Sequence, residues 1–451
     1  MGIFMSTSAY RFRPVLVLAV FAALMATQPA EALDLDWSGQ FRAENHFISN
    51  YAGGANNLTT DNARAAAGGY YVPGGGETSA SFQSLFMRVR PKLVVNDNVY
   101  IKSEWWLGDP VYGFFGDAFP QTFDQRQYYS SQSRGSFITA QRFWVEILSD
   151  VGTVQVGRAP LNWGLGLIWN SGDGIFDRYQ STGDTIRLVS KFGAFTFIPS
   201  FIKYSAGNSV GGAFNIGTGT SVGNGNVSDY SLVFKYENAD EDFEGGVNFV
   251  KRLAGGSQDV SGILGVNGAT AGMNYNTFSI YGRKKFGKLS LGGEVPITSG
   301  DVGGIEYKAF AAAVETGWKA SDSFDFNVRF GHAPGQPGNT SSPDRFRAYY
   351  FHPNYKPALI MFNYQLAALA GPNTQNNPAT TPSQLKSPFD NPITNANYLT
   401  VGGAFHTDKW SFRTSAIFAK ANEVAGAGAN YFNTWSRRFV TNVSGKNQST
   451  V

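Results

Sequence analysis

Between residues 35 and 419, segment after segment alternates apolar and polar residues, and this two-residue period constrains the fold more than any other feature. In FDFNVRFGH, Phe324, Phe326, Val328 and Phe330 fall on one face of an extended strand, while Asp325, Asn327 and Arg329 fall on the other. A helix would need apolar residues every three or four positions, so the pattern predicts an all-β chain. Sixteen segments carry it, near 35–47, 81–95, 99–107, 136–148, 152–157, 184–191, 195–204, 228–236, 243–252, 274–283, 289–297, 306–318, 324–332, 357–366, 397–406 and 410–419.

The connections choose between a soluble sandwich and a barrel that meets lipid. Short turns at 96–98, 149–152, 192–194, 238–242, 286–288 and 320–323 alternate with mostly longer loops at 49–80, 109–134, 159–183, 205–226, 254–273 and 333–355. Turns short at one end and long at the other mark an antiparallel up-and-down barrel in an outer membrane. Composition agrees: there are 53 glycines, aromatics reach 15% and charged residues only 15%. Such a barrel needs glycine in turns, aromatics at two interfaces and charge kept off the lipid face. The fold expected is therefore a transmembrane antiparallel β-barrel of about 16 to 18 strands.

The N-terminus reads as an export signal. Arg11 and Arg13 precede an apolar run from Val15 to Ala26, too short to span a bilayer, and Ala30-Glu31-Ala32 suits a signal peptidase. The organisation expected is a signal peptide over 1–32, a barrel over 33–419 and a long loop or tail over 420–451. The chain stops on VSGKNQSTV rather than on an aromatic-ending strand, so a closing hairpin is expected to be missing. With no cysteine, disulfides and thiolate metal sites are excluded. A net charge of +3 gives no support to nucleic-acid binding.

Alternation also names the inward side chains, because lipid-facing positions reject charge by roughly 2 to 4 kcal/mol at mid-membrane. Arg88, Arg90, Lys92, Lys102, Glu104, Arg142, Glu146, Arg187 and Lys191 are expected to face the lumen of the first third of the wall, where basic groups outnumber acids. Lys235, Glu237, Glu244, Arg283, Glu294, Glu315, Asp325, Arg329 and Arg413 give a mixed wall further round. A polar interior spanned by this many strands leaves room for water, so a channel is expected, with its basic patch attracting anions. The plainer reading is that the arginines pair with Glu104 and Glu146 to brace the wall. The two readings are compatible.

GRAPLNWGLGLIWNSGDGIFDR, from Gly157 to Arg178, is the most unusual loop. As a phosphate cradle it fails, because Trp169 occupies the third glycine position of G-x-G-x-x-G and no helix follows. Asn170, Asp173 and Asp177 have the chemistry for calcium but miss the EF-hand spacing. An inward-folded constriction is expected instead. Gly164 and Gly166 would let backbone lie against the wall, Trp163, Trp169 and Phe176 would anchor it, and Arg158, Asp173 and Asp177 would line it.

VGRAPLNWGLGLIWN resembles the Gly-Arg-x(3-5)-Trp-Gly-x-Gly region of alginate-export-type outer-membrane barrels, and YYFHPNYKPALIMFNYQL, Tyr349 to Leu366, resembles a His-Pro-x-Tyr segment of that group. The resemblance in layout covers most of residues 33–451; Ala159 departs from it, standing where a Gln is common. It implies about eighteen strands, an arginine-rich electropositive lumen and a long periplasmic loop before the final hairpin, to which residues 420–451 would correspond. Passage of alginate itself is not implied.

Catalysis is not expected: Ser341, Ser342 and Asp344 share a loop with His352, but nothing fixes a nucleophile beside a base at His46, His332, His352 or His406, and neither G-x-S-x-G nor H-E-x-x-H occurs. No cofactor or metal is expected. The partners expected are outer-membrane lipid of a Gram-negative bacterium, the barrel-assembly machinery and a small or polymeric hydrophilic, anionic solute, with homo-oligomerisation left open. An adhesin or structural barrel with a plugged lumen is the alternative.

Overall fold

A computed structural model describes residues 34–49, 79–108, 138–204, 227–254, 273–302, 305–335, 345–358, 362, 393–423, 430–433 and 438–441. The expected signal peptide and most of the expected long loops lie outside these residues. What is described is all-β, and successive passes of the chain pair antiparallel; the one parallel pairing among the described residues joins 345–346 to 306–307. The first strands are β1 (Asp34–Ser49), β2 (Ser79–Asn96), β3 (Val99–Leu107), β4 (Ile138–Ser149), β5 (Gly152–Pro160), β6 (Thr182–Phe192), β7 (Phe195–Tyr204) and β8 (Val227–Asn238). They are followed by β9 (Phe243–Ala254), β10 (Met273–Phe286), β11 (Leu289–Val302), β12 (Ile305–Phe310), β13 (Ala312–Lys319) and β14 (Phe324–Ala333). The two-residue β15 (Arg345–Phe346), then β16 (Ala396–His406) and β17 (Ser411–Ala421), complete a seventeen-stranded sheet.

Strands β12 and β13 form one pass. Both pair with β11, and the ladder breaks at Ala311, which faces Pro296. Proline has no N–H to donate there, so only the bond from Ala311 N to Pro296 O, 3.0 Å, survives. Every short turn expected from the sequence joins two strands where it was placed.

Two corrections concern the later segments. The described residues of the expected strand at 357–366, Pro357, Ala358 and Phe362, are not in a strand, and β14 pairs directly with β16 from Phe324↔Phe405 to Ala333↔Ala396. Pro357 and Ala358 form a bend and Phe362 a turn, and the rest of that segment lies outside the described residues. Pro353 and Pro357 cannot donate to a ladder, and Ala348, Tyr349, Phe351 and Tyr355 are all buried, so beyond β15 this stretch packs against the sheet instead of joining it. In the expected tail over 420–451, β18 (Asn430–Asn433) and β19 (Arg438–Thr441) form a separate hairpin.

One face of the sheet is apolar and exposed. Phe324, Phe326, Val328 and Phe330 are exposed while Asp325, Asn327 and Arg329 between them are half-buried, and Leu232, Phe234, Phe249, Phe278, Ile280, Leu399 and Val401 repeat the pattern. Aromatics crowd the short-turn rim, with Phe195 near Phe234 and Tyr236, Trp318 near Phe326, and Phe324 near Phe405. The other face is rolled inward. The single loop 161–181 reaches Arg42 on β1, Arg142 on β4, Ser279 on β10 and Glu294 on β11, which a flat sheet would keep far apart. Among the described residues no pairing joins β1 to β17, so the rolled sheet is open along that seam.

Candidate functional site

The inner face divides into two sectors, and loop 161–181 belongs to both. Its first half, Leu161 to Trp169, is sealed in an apolar cluster. Trp163 is buried against Tyr281, and its Nε1 donates to Ser279 Oγ at 3.0 Å. The backbone N–H groups of Leu165 and Leu167 donate to Glu294 Oε2 at 2.8 and 3.2 Å. The glycine-rich turn therefore cradles a carboxyl group that the chain itself supplies. Gly164, at φ 54°, is where only glycine fits: a Cβ would lie 2.7 Å from Glu294 Oε2.

The inward segment 345–358 packs on the same sector. His352 N donates to Leu167 O and Phe351 N to Ile393 O, both at 2.9 Å. Phe351, Tyr355, Phe362 and Tyr398 are buried together, and the Tyr398 hydroxyl donates to Tyr355 Oη at 3.0 Å. Burial, with the charge of Lys356 adding to it, pushes the His352 imidazole down to about 3.

The second half of the loop, 170–181, crosses to the charged sector. Ile175 O accepts from Arg42 Nη1 at 2.8 Å, and the Ile175 and Phe176 side chains remain 66% and 65% exposed. Asp173 Oδ1 accepts from Arg90 and from Arg142 Nη1, the latter at 3.1 Å. Burial alone would raise the Asp173 carboxyl, but the Ser171 hydroxyl and the charges of Arg142 and Arg90 outweigh it and hold it below its ordinary range. Glu104, on β3, stands 2.6 Å from Arg90, 3.2 Å from Arg142 and 3.6 Å from Arg88. Arg178 closes the network with bonds of 2.8 and 2.9 Å to Glu44.

The other residues singled out in the sequence are distributed along the same wall. Lys102 pairs with Glu146 at 2.8 Å, Lys92 with Asp36 at 3.3 Å and Lys235 with Glu237 at 2.6 Å. Arg187 donates to Gln155 and to Pro160 O, Tyr281 donates to Glu244, and Lys191 is exposed near a turn. Arg329 meets Lys356 O at 2.8 Å and Glu315 at 3.5 Å, while Arg283 and Arg413 are exposed.

Arg158 departs from expectation. It lies on β5 rather than in the loop, and counting from inward Gln155 puts it on the outer face with Val156. There it forms a two-point pair with Asp184, at 2.9 and 3.1 Å. The calcium alternative also finds no site: Asn170 Oδ1 accepts from Gly172 N and Asp177 Oδ2 from Gly174 N, and no metal-holding cluster occurs among the described residues. One contact was missed in the sequence. His406 Nε2 lies 2.9 Å from Asp325 Oδ2, and its Nδ1 lies 3.0 Å from Ser411 Oγ, at exposed strand ends beside the 407–410 turn.

No family model and no curated protein matches the chain. Solved structures to which it is similar include an anion-selective porin from Comamonas acidovorans, at 11% identity over 92% of this chain and 96% of that one, TM-score 0.40. Others are OccK9 of Pseudomonas aeruginosa, at 12% identity over 87% and 95%, TM-score 0.43, and OmpT, an outer membrane protein of Vibrio cholerae, at 9% over 94% and 95%, TM-score 0.39.

Proposed function

We propose that this protein is a channel in the outer membrane of a Gram-negative bacterium, passing small hydrophilic solutes with a modest preference for anions. The observation that carries the reading is the pairing of opposite faces on the same strands. Apolar side chains are exposed outward, while inward Arg90, Lys92 and Lys102 keep about a third of their surface open to water. Hydrocarbon suits the first face and a wet lumen the second. The export signal at the N-terminus supports the same location.

The preference is modest because most inward cations have an acidic partner. Arg88, fully enclosed, is not counted among the groups that a passing solute meets. A polymeric hydrophilic solute is the finer form of this proposal, suggested by the resemblance of residues 156–170 and 349–366 to alginate-export barrels, without naming alginate as that solute. The competing reading, a plugged structural barrel, draws on the apolar sector, where loop 161–169 and segment 345–358 fill one side of the interior.

A planar-bilayer recording separates them. Purified protein should give discrete conductance steps and a reversal potential displaced toward the anion. Replacing Arg90 and Lys102 together by Ser should move that potential toward zero. A silent bilayer would favour the plug, and an unmoved potential would remove the anion preference.

A further inference from the structure

Arg88 is 1% exposed, and its Nε, Nη1 and Nη2 have no hydrogen-bond acceptor among the described residues. The cause lies in how its neighbours divide two carboxylates. Glu104 Oε1 accepts from Trp106 Nε1 at 2.7 Å, and Oε2 accepts from Arg90 Nε at 2.6 Å with Arg142 Nη1 at 3.2 Å. Asp173 Oδ1 serves Arg90 and Arg142 again. Arg88 Nε is left 3.6 Å from Glu104 Oε1, outside hydrogen-bond range. Three guanidinium groups, Arg88, Arg90 and Arg142, thus face two carboxylates, Glu104 and Asp173, an excess of 3 − 2 = +1.

Among the described residues, the remaining walls accept nothing in the plane of the guanidinium. The rings of Phe86 and Trp106 meet edge to face at 5.2 Å, and each centroid lies 5.7 Å from Arg88 Cζ. Arg42 Cζ lies 5.1 Å from the centroid of the same Phe86 ring, with Glu44 as its own acidic neighbour. Ring faces attract a cation but offer its N–H groups no lone pair in a good line. A guanidinium does not escape by losing its proton, and an enclosed, unpaired one is costly.

We propose that the pocket around Arg88 binds one small monovalent anion, a halide or a short carboxylate, as a resident ion held by the free Arg88 donors and balancing the local excess charge. Small size follows from the enclosure. The site is closed off from the lumen, so the proposal stands apart from conduction: a silent protein with an occupied Arg88 pocket would keep it, and a conducting one with an empty pocket would end it.

The test uses the full chain in detergent. Thermal unfolding is followed in sodium chloride, bromide, formate or gluconate at equal ionic strength. The midpoint should rise saturably with the first three and not with gluconate, which is too bulky to enter. Arg88→Met should erase the difference between salts. Should that variant fail to fold, crystals of the unaltered protein grown in bromide decide the matter by anomalous scattering. A bromide peak within hydrogen-bond reach of the Arg88 guanidinium supports the site. Equal midpoints in all four salts, or a pocket holding only water, would overturn it.

Discussion

The two halves of loop 161–181 fill the same interior by opposite means. Leu161 to Trp169 is held chiefly by area: Trp163, Leu167 and Trp169 are buried with Tyr281, Val233 and Phe351, and Ser279 and Glu294 add directed bonds. Residues 170–181 are held by a few directed bonds from Arg42, Arg90 and Arg142, the last two coupled through both Glu104 and Asp173. Apolar packing spreads the loss of one atom over many neighbours, whereas a shared buried carboxylate concentrates it. The charged sector should therefore be the more brittle of the two, although it is the more open to water.

Deletion of one polar function in each sector tests this, and the largest effect is expected at Glu104. Glu104→Leu takes the shared acceptor from Arg90 and Arg142 and the nearest opposite charge from Arg88, at a cost of about 3 to 5 kcal/mol. Tyr398→Phe, which removes a buried hydrogen bond to Tyr355 and keeps the ring, should cost only about 1 kcal/mol. Urea unfolding in lipid vesicles, followed by tryptophan fluorescence, measures both. Equal losses would break the distinction between sectors.

Gly164→Ala strikes the apolar half through geometry. The new Cβ would sit at positive φ and 2.7 Å from a fully buried carboxylate that has little room to swing aside. A cost of about 1 to 3 kcal/mol is expected, enough to loosen the inward turn without unfolding the sheet. Single-channel conductance should rise. A conductance equal to that of the unaltered protein would mean that this half of the loop does not narrow the path.

The sheet was legible because two-residue periodicity is a property of each strand by itself. Phe324 to Phe330 reads correctly with no knowledge of its neighbours, and so do the short turns. Segment 345–358 was not legible. FRAYYFHPNY is apolar at both parities, the pattern of a strand buried on two faces, and only the occupied β14–β16 pairing excludes it from the wall. Glu294 was expected on the inner face, but its partners are backbone N–H groups that carry no sequence signature. Arg158 was readable in principle, since strict alternation from Gln155 turns it outward; the glycine-rich context drew it into the loop.

Acid should separate the sectors next. His352 is neutral when docked and resists protonation down to about 3, whereas an undocked histidine takes up a proton near pH 6.5. The stabilisation of the docked segment is thus complete above pH 6.5 and is lost progressively as pH falls from there toward 3. The Asp173 carboxyl, held below its ordinary range, keeps its bonds to Arg90 and Arg142 until more acidic conditions. Limited proteolysis across a pH series should therefore open segment 345–358 before residues 170–181. His352→Gln should remove the earlier step, and the reverse order of cleavage would invert the assignment of which sector yields first.

The smallest effect is expected where a contact is suggestive but has no chemistry behind it. Ser411, His406 and Asp325 stand in hydrogen-bond reach, an order of groups that in a hydrolase would activate the serine. Here the hydroxyl, imidazole and carboxylate come from the ends of three adjacent strands at an exposed rim, away from both sectors of the lumen. Such a chain also braces strand ends, as Thr407 and Trp410 brace the same turn through paired hydrogen bonds. A fluorophosphonate probe should leave Ser411 unmodified, and Ser411→Ala should change stability by less than about 1 kcal/mol. Stoichiometric labelling of Ser411, abolished by His406→Gln, would instead make this rim a catalytic site and move the function from the lumen to the membrane edge.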